Sequence, residues 1–267
     1  MDNDPVDREL AELAIELALG AGELARHRRE SGFDISAKST PTDLVTAVDR
    51  DVEAWLTAQL GRRRPDDAIL GEEGAGRPGS SNVRWVLDPI DGTVNFVLGL
   101  PSWAVSVAAE REGVVVAGCV YNPASRELFR AERGRGAFLG DVRLAGPRTV
   151  PLERSVVGTG FSYDADLRAR QGAVVAALLP KVADIRRIGS AALDLCAVAS
   201  GRLDAYYETG LQPWDRAAGL LIATEAGGAA SGWRGAGPDD QLTAVCHPAI
   251  ASEFIALLEE LGAASVG

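Results

Sequence analysis

The chain has 267 residues, 46% of them hydrophobic and 24% charged, which is enough to bury the core of one large globular domain. The formal net charge of −11 at pH 7 argues against nucleic acid as a direct partner, because a phosphate backbone attracts clustered Lys and Arg. The acidic stretch Met1–Asp4 has no apolar signal core, and the longest apolar run, Val114–Val120, is too short to span a bilayer. We therefore expect a cytoplasmic protein without a membrane partner. Its widely spaced cysteines, Cys119, Cys196 and Cys246, form no metal-binding pattern and are expected to be reduced and buried.

The first half of the chain begins with two predicted amphipathic helices. Apolar residues recur at three- and four-residue steps from Val6 to Leu24 and again from Val48 to Leu60. Three arginines and Pro65 end the second helix. A run of short strands between residues 103 and 139 then predicts an antiparallel sheet covered by these helices.

Strands and helices alternate in the second half. Short strands are predicted at 155–158, 185–188 and 203–207, and helices at 166–179, 190–199, 216–226 and 248–261. No repeat or clear linker divides the chain. We expect a single domain over residues 1–267, with a soft boundary between two lobes near residues 147–151.

The stretch Trp85–Phe96 carries the strongest chemical signal. Residues suited to a buried strand lead into Asp88 and Asp91, and Gly92 follows at once. Two carboxylates at the end of a strand repel each other, and a bound divalent cation removes that cost; oxygen ligands suit Mg²⁺. A short helix is predicted to begin near Gly92 and Thr93, whose amides are a suitable seat for a phosphate. The alternative is a solvated Asp-Gly turn.

Two other stretches place acids beside predicted elements. Glu72 and Glu73 follow a short apolar run, and Trp214-Asp215 precedes a helix-like segment. Taken separately, the glutamate pair is typical of a surface turn, and Trp214-Asp215 is typical of a helix cap. Three such elements, in this order and at this spacing, are much more specific than any one of them.

Together these elements resemble the motifs of the inositol monophosphatase family, the magnesium-dependent, lithium-sensitive phosphomonoesterases. The matching stretches are Gly71-Glu72-Glu73, Asp88-Pro89-Ile90-Asp91-Gly92-Thr93 and Trp214-Asp215, and the resemblance covers nearly the whole chain. It implies an α+β fold, a layered α/β sandwich in αβαβα order with a mainly antiparallel N-terminal sheet and a smaller C-terminal sheet. It also implies a homodimer that hydrolyses a small phosphorylated polyol, most closely inositol 1-phosphate to inositol and phosphate.

The resemblance further implies a set of metal-binding and catalytic residues. Two to three Mg²⁺ ions would be held by Glu72, Asp88, the carbonyl of Ile90, Asp91 and Asp215. Thr93, polarised by Asp49, would accept the proton of the attacking water, and Glu72 completes the implied catalytic set. Lys38 matches a basic residue near the metals. As isolated residues, Asp49 is typical of a helix start and Lys38 of the protein surface.

The implied substrate contacts come from three parts of the chain. The amides of Gly92 and Thr93 would hold the phosphate with Asp91 beside them, and the backbone at Gly189 and Ala191 would meet ring hydroxyls. Glu208, seven residues before Asp215, would accept a hydrogen bond from a hydroxyl. The alternative for Glu208 is a solvated carboxylate at a strand end. Tyr206 is expected to pack against the core.

Other substrates of the same class stay open: fructose 1,6-bisphosphate, histidinol phosphate and adenosine 3′,5′-bisphosphate. From a different class, the chain could be a protein-binding scaffold with a vestigial site. The sequence also departs from the family pattern at Gly140-Asp141, across residues 229–242, and at Arg216 beside a presumed metal ligand. These departures bear on loop geometry and substrate shape.

Overall fold

The structure is a computed structural model that describes residues 5–37, 40 and 44–264. Its α-helices span Pro5–Glu30 (α1), Ala47–Arg63 (α2), Thr93–Leu98 (α3), Ala165–Leu178 (α4), Ala191–Ala199 (α5), Pro213–Glu225 (α6) and Ala251–Glu260 (α7). Short 3₁₀ turns lie at Leu152–Arg154, Leu179–Lys181, Trp233–Gly235 and Pro248–Ile250. Within the described residues, no helix has both the length and the apolar character needed to cross a bilayer.

The larger sheet follows a two-stranded ladder formed by Ile35–Ala37 (β1) and Leu44–Thr46 (β2). Its strands are Ala68–Gly71 (β3), Gly76–Arg77 (β4), Val83–Asp91 (β5), Ala104–Arg111 (β6), Val114–Asn122 (β7), Glu127–Glu132 (β8), Gly136–Leu139 (β9) and Val142–Arg143 (β10). They are ordered β10-β9-β8-β7-β6-β5-β3-β4 across the sheet. All neighbours are antiparallel except β3 and β5, so the predicted mainly antiparallel sheet is confirmed.

The smaller sheet lies in the second half of the chain. Its strands are Val156–Thr159 (β11), Asp184–Arg186 (β12), Ala205–Glu208 (β13), Ala229–Ser231 (β14) and Thr243–Cys246 (β15), ordered β12-β11-β13-β15-β14. Strand β11 is parallel to both of its neighbours, and the remaining pairs are antiparallel. This mixture reflects the alternation of strand and helix in the sequence of this half.

Three apolar clusters hold five layers of structure together, and the second of them fills both interfaces of the middle layer. Consecutive residues of a strand face opposite sides of the sheet, so Trp85 joins the cluster under α1 and α2, whereas Val86 joins the cluster of α5 and α6. The second cluster also contains Tyr206 of β13, which places α5 and α6 between the two sheets. A third cluster packs the outer face of the smaller sheet against α4 and α7. The predicted αβαβα layering is therefore confirmed.

The chain passes from the larger to the smaller sheet between β10 and β11, a segment that contains the predicted boundary at residues 147–151. The assignment of residues 1–267 to one domain stays a prediction. The three cysteines are free thiols, and each is buried.

Helix α6 begins at Pro213, three residues earlier than the sequence predicts. Gln212 is the N-cap residue of the helix. Asp215, at the third helical position, accepts a hydrogen bond from the backbone N–H of Gln212. Pro is well suited to the first turn of a helix because its missing N–H has no partner there. The earlier start brings Asp215 into the first turn of α6.

Candidate active site

Asp88 and Asp91 lie at the end of β5, where the pairing with β6 is irregular. Asp88 pairs with Ser106 and Asp91 with Ala104, so three steps along β5 correspond to two along β6. The extra residue offsets the alternation of the strand, which would otherwise send residues three apart to opposite faces. Both carboxylates therefore reach the same region.

Gly92 connects β5 to α3 in a conformation that favours glycine. Its φ of 89° is left-handed, and it forms the N-cap of α3. A Cβ atom at this position would lie 3.0 Å from the carbonyl oxygens of Gly189 and Ser102. The turn after β5 and the turn before α5 are thus in close contact, which brings Gly189 beside the acidic strand end.

The carboxylate of Asp91 is held by the first turn of α5. Ser190, the N-cap of α5, donates its hydroxyl to Asp91 Oδ2 at 2.5 Å, and the Ala192 amide donates to the same oxygen at 2.7 Å. The Ala191 amide lies 3.3 Å from Asp91 Oδ1. Ala191, a predicted substrate contact, therefore directs its backbone N–H at Asp91 here.

A buried glutamate organises the loop that carries Glu72. Glu53 of α2 accepts hydrogen bonds from the backbone amides of Glu73 and Ala75, each at 2.8 Å. The Glu72 amide donates to the carbonyl of Leu87 at 3.2 Å. These contacts bring the Glu72 loop next to the end of β5, and Glu53 is a residue that the sequence did not single out.

The four carboxylates of Glu72, Asp88, Asp91 and Asp215 lie close enough to repel one another. Asp88 is 1% exposed, and its pKa is raised well above the ordinary value, first by burial and then by Glu72, Asp91 and Asp215. The pKa of Asp215 is raised well above its usual range by burial and next by Asp91. Burial raises the pKa of Asp91 too, although its hydrogen bonds from Ser190 and the α5 amides oppose the shift.

The donor set of this cluster fits a hard divalent cation. Every candidate ligand is an oxygen, and a cation would relieve the repulsion that raises the pKa values of Asp88 and Asp215. Among residues 5–37, 40 and 44–264, no three His, Cys, Asp or Glu are arranged so that they could hold a metal ion as they stand. Asp91 and Asp215 each accept a hydrogen bond from a backbone amide.

Thr93, the first residue of α3, lies beside Asp49 in the first turn of α2. Its hydroxyl is 3.1 Å from Asp49 Oδ1 and 3.0 Å from the carbonyl oxygen of Ile90. A hydroxyl has one proton, so it donates to one of these acceptors at a time. Asp49 is fully buried, and burial raises its pKa despite hydrogen bonds from Thr46 and Thr93.

A cleft of about 600 Å³ opens over this region. The predicted site residues that line it are Asp91, Gly92, Gly189, Ala191, Glu208 and Asp215. The lining that the described residues form does not include Glu72, Asp88, Ile90, Thr93 or Asp49. Lys38 lies outside the described residues.

Glu208 is fixed within the cleft by the residue two positions before it. Tyr206 donates its hydroxyl to Glu208 Oε2 at 2.6 Å, and burial raises the pKa of Glu208 to about 7. Tyr206 is in the core as predicted, but its hydroxyl also holds Glu208. Gly160 packs so closely here that a Cβ atom would lie 2.0 Å from Glu208 Oε2.

Comparisons with known proteins identify the family of this chain. The model of the inositol monophosphatase family matches residues 6–263. The inositol-1-monophosphatase SuhB of Mycobacterium tuberculosis is 46% identical over an alignment of 278 positions, gaps included, that covers 97% of this chain and 95% of that protein. A Haemophilus influenzae protein named Nus factor SuhB is 43% identical over 220 residues, which cover 81% of this chain and 82% of that protein.

The fold is also similar to solved structures. The extragenic suppressor protein suhB of Bartonella henselae superposes with a TM-score of 0.87 at 34% identity, covering 93% of this chain and 98% of that one. The chain belongs to the inositol monophosphatase family and is a phosphoric monoester hydrolase.

Proposed function

We propose that this protein hydrolyses the phosphate monoester of a small polyol, with inositol 1-phosphate as the best candidate. The observation that carries the proposal is the half-buried carboxylate of Glu208, held by Tyr206 in the same cleft as Asp91 and Asp215. A carboxylate accepts hydrogen bonds from hydroxyl groups and repels a second phosphate. A phosphorylated polyol satisfies both conditions.

The carboxylates would bind two to three Mg²⁺ ions. The ligands in this proposal are the side chains of Glu72, Asp88, Asp91 and Asp215 and the carbonyl of Ile90. When bound, such ions neutralise negative charge and make water a stronger nucleophile at neutral pH. Backbone amides donate to Asp91 and Asp215, and each carboxylate has further lone pairs with which it would hold a cation.

Thr93 and Asp49 are the proposed proton-transfer pair. A Thr93 hydroxyl that donates to Asp49 carries more electron density on its oxygen, which favours accepting a proton from the attacking water. Burial raises the pKa of Asp49, so Asp49 is suited to take up the Thr93 proton in turn. Glu72 assists from the loop after β3, and the amides of Gly92 and Thr93 hold the phosphate at the start of α3.

The charges of the cleft discriminate among the possible substrates. Arg187 is the one cation that the described residues contribute to the cleft lining, whereas Asp91, Asp164, Asp194, Glu208 and Asp215 are acidic. Adenosine 3′,5′-bisphosphate is therefore disfavoured. Fructose 1,6-bisphosphate is the second candidate, because its distal phosphate could pair with Arg187. Histidinol phosphate has no free hydroxyl group to donate to Glu208, so it ranks behind both of these candidates.

The scaffold alternative has a parallel among relatives named Nus factor SuhB. A scaffold has no physical need to bury mutually repelling carboxylates, because each one costs free energy of folding. The raised pKa values of Asp88 and Asp215 therefore favour the hydrolase. We also propose a homodimer, on the family resemblance alone.

A phosphate-release screen tests the proposal. The purified protein with Mg²⁺ is assayed on the four candidate substrates and on phenyl phosphate, whose organic part has no hydroxyl groups.

The variant Glu208→Gln removes a charge-assisted hydrogen bond. Its kcat/KM for inositol 1-phosphate is expected to fall roughly 10- to 150-fold, which corresponds to a loss of about 1.5–3 kcal/mol in transition-state stabilisation. Activity on phenyl phosphate is expected to stay nearly unchanged. Tyr206→Phe keeps the Glu208 charge and should cost less. Equal losses on all substrates would mean that Glu208 supports the carboxylate cluster instead.

A further inference from the structure

Glu53 is a buried acid to which the proposed mechanism assigns no role. It lies on the buried face of α2 and is 4% exposed. Its Oε2 atom accepts a hydrogen bond from the backbone N–H of Glu73, and its Oε1 atom accepts one from that of Ala75, each at 2.8 Å. Burial of a carboxylate costs free energy, so a side chain that spends both oxygens on one distant turn requires an explanation.

The turn between β3 and β4 is shaped around this carboxylate. Gly71, the last residue of β3, packs so closely on Glu53 that a Cβ atom would lie 2.2 Å from its Oε2 atom. Gly74 has a φ of 103°, in the left-handed region that favours glycine. Glu72 therefore lies between a glycine packed against Glu53 and an amide, that of Glu73, bonded to it.

The same face of α2 carries Asp49, four residues before Glu53. Asp49 Oδ1 lies 3.1 Å from the hydroxyl of Thr93. Leu56, further along this face, is part of the apolar cluster under α1 and α2, so core packing fixes the position of the helix. One helix thus holds both the Thr93 pair and the turn that carries Glu72.

A second glutamate makes the same kind of contact at a turn without proposed ligands. Glu225, the last residue of α6, accepts hydrogen bonds from the amides of Gly134 and Gly136 at 2.7 and 2.8 Å. It closes the turn between β8 and β9. Glu53 and Glu225 each bind two amides that lie two positions apart, and they differ in what the turn carries. Their comparison separates closure of a turn from an effect on the site.

We propose that Glu53 is a positioning residue for Mg²⁺ binding, which acts through the backbone of the turn that carries Glu72. This inference rests on the proposed function in assuming that Glu72 holds a cation. The amide of Glu72 donates to the carbonyl of Leu87 at 3.2 Å, which places the turn beside the end of β5. A turn released from Glu53 has more conformations open to it, so Glu72 is less often in place and the cation binds more weakly.

The experiment measures Mg²⁺ affinity without turnover. Isothermal titration of the full chain with Mg²⁺ alone gives the dissociation constant. Glu53→Gln turns one acceptor oxygen into an NH₂ donor that faces a backbone N–H, and the dissociation constant is expected to rise on the order of 10- to 100-fold. Glu225→Gln is the matched control, because it makes the same change at the other turn; it should lower thermal stability and leave the dissociation constant unchanged.

A double-mutant cycle shows whether Glu53 acts through Glu72. Glu72→Gln should weaken Mg²⁺ binding by itself, because it removes a proposed ligand charge. The double variant with Glu53→Gln should bind Mg²⁺ no more weakly than Glu72→Gln alone. In phosphate-release assays, Glu53→Gln should need more Mg²⁺ for half-maximal kcat. Its KM for inositol 1-phosphate at saturating Mg²⁺ should stay unchanged, because the turn carries no proposed substrate contact.

Gly71→Ala carries the test if Glu53→Gln does not fold, because its methyl group displaces the Glu53 carboxylate and should also raise the dissociation constant. Mg²⁺ affinity equal to that of the wild type in both variants, or losses that simply multiply in the double variant, would overturn the role of Glu53 and leave the proposed function intact. A wild-type protein that binds no Mg²⁺ and releases no phosphate from any candidate substrate would contradict both proposals.

Discussion

The hydroxyl of Thr93 lies 3.1 Å from Asp49 Oδ1, and the other oxygen of the same carboxylate closes the N-terminus of α2. The Thr46 amide donates to Asp49 Oδ2 at 2.8 Å, while the Thr46 hydroxyl accepts from the Asp49 amide at 3.3 Å. Asp49 is therefore a helix-start residue and the partner of Thr93 at once. The helix start fixes the carboxylate in the place where Thr93 meets it.

The first prediction concerns this pair. Thr93→Ala is expected to reduce kcat on the order of 10²- to 10⁴-fold, because the proposed proton acceptor is lost. Thr93→Ser keeps the hydroxyl and should keep most of the activity. Asp49→Asn should reduce kcat in the same range, and the double variant should cost little more than either change alone if the two residues act as one unit. Steady-state phosphate release measures all four proteins.

Stability provides the control for the Asp49 variant. Asp49→Asn also weakens the capping box, which is expected to cost about 0.5–2 kcal/mol in the free energy of unfolding. Asp51→Asn, two residues further along α2, alters an exposed acid that pairs with Arg28 and should leave kcat unchanged. Losses in the Thr93 and Asp49 variants that simply multiply would mean that Asp49 only starts the helix.

The elements that the sequence predicted best are those whose signals are local. The repeated apolar positions of α1 and α2 determine which faces of these helices are buried. Asp88 and Asp91 are only three residues apart in the sequence, so their proximity is also a local signal. The sequence predicts the start of α6 three residues late, because Gln212 is a weaker capping signal than Ser, Thr, Asp or Asn.

The missed residues depend on contacts between distant segments. Glu53 lies four residues after Asp49 on the same face of α2, which was an available signal, but its partners are amides twenty residues away. Asp194 carries no special local pattern, and its burial follows from how α5 packs on Gly158 of β11. Tyr206 and Glu208 were predictable as a pair, since residues two apart share one face of a strand.

A second prediction concerns metal removal. Turnover should vanish in EDTA and return with excess Mg²⁺, and lithium should inhibit, as the family resemblance implies.

The variant Asp88→Asn tests the repulsion within the carboxylate cluster, because it replaces a buried carboxyl among like charges by a neutral amide. In EDTA this variant is expected to be more stable than the wild type, by about 1 kcal/mol or more. Mg²⁺ should stabilise it less, which thermal unfolding with and without Mg²⁺ measures. A less stable variant in EDTA would contradict the repulsion between these carboxylates.

A third prediction tests the packing around Glu208. Gly160→Ala places a methyl group where the Glu208 carboxylate now lies, 2.0 Å from Oε2. Glu208 must move, so KM for inositol 1-phosphate should rise on the order of 10-fold while turnover of phenyl phosphate stays the same.

The matched control is Gly172→Ala in α4, because no atom lies within 4 Å of the position that the new Cβ would occupy. It should raise the free energy of unfolding by about 0.5–1 kcal/mol and leave KM unchanged. An unchanged KM in Gly160→Ala would contradict the placement of Glu208.

The last prediction concerns the pH dependence of stability. Burial raises the pKa of Glu208 from 4.5 to about 7 in the folded protein, so between these values the folded state holds a proton that the unfolded chain has released. Stability therefore falls as pH rises through this window, because the folded state binds more protons than the unfolded state. Tyr206, Asp91 and Arg187 also act on this carboxyl, and they remain in the variant.

Glu208→Gln tests the contribution of this group. In EDTA, the free energy of unfolding of the wild type should decline from pH 5 to pH 7 more steeply than that of the variant, by on the order of 2 kcal/mol over the window. Asp88, Asp194 and Asp215 are present in both proteins, so the difference between the two curves reports Glu208 together with its coupling to Asp194 and Asp215. Chemical denaturation at several pH values gives both curves. Parallel curves would mean that Glu208 is already ionised at pH 5, which a well-hydrated carboxylate would be and a desolvated one would not.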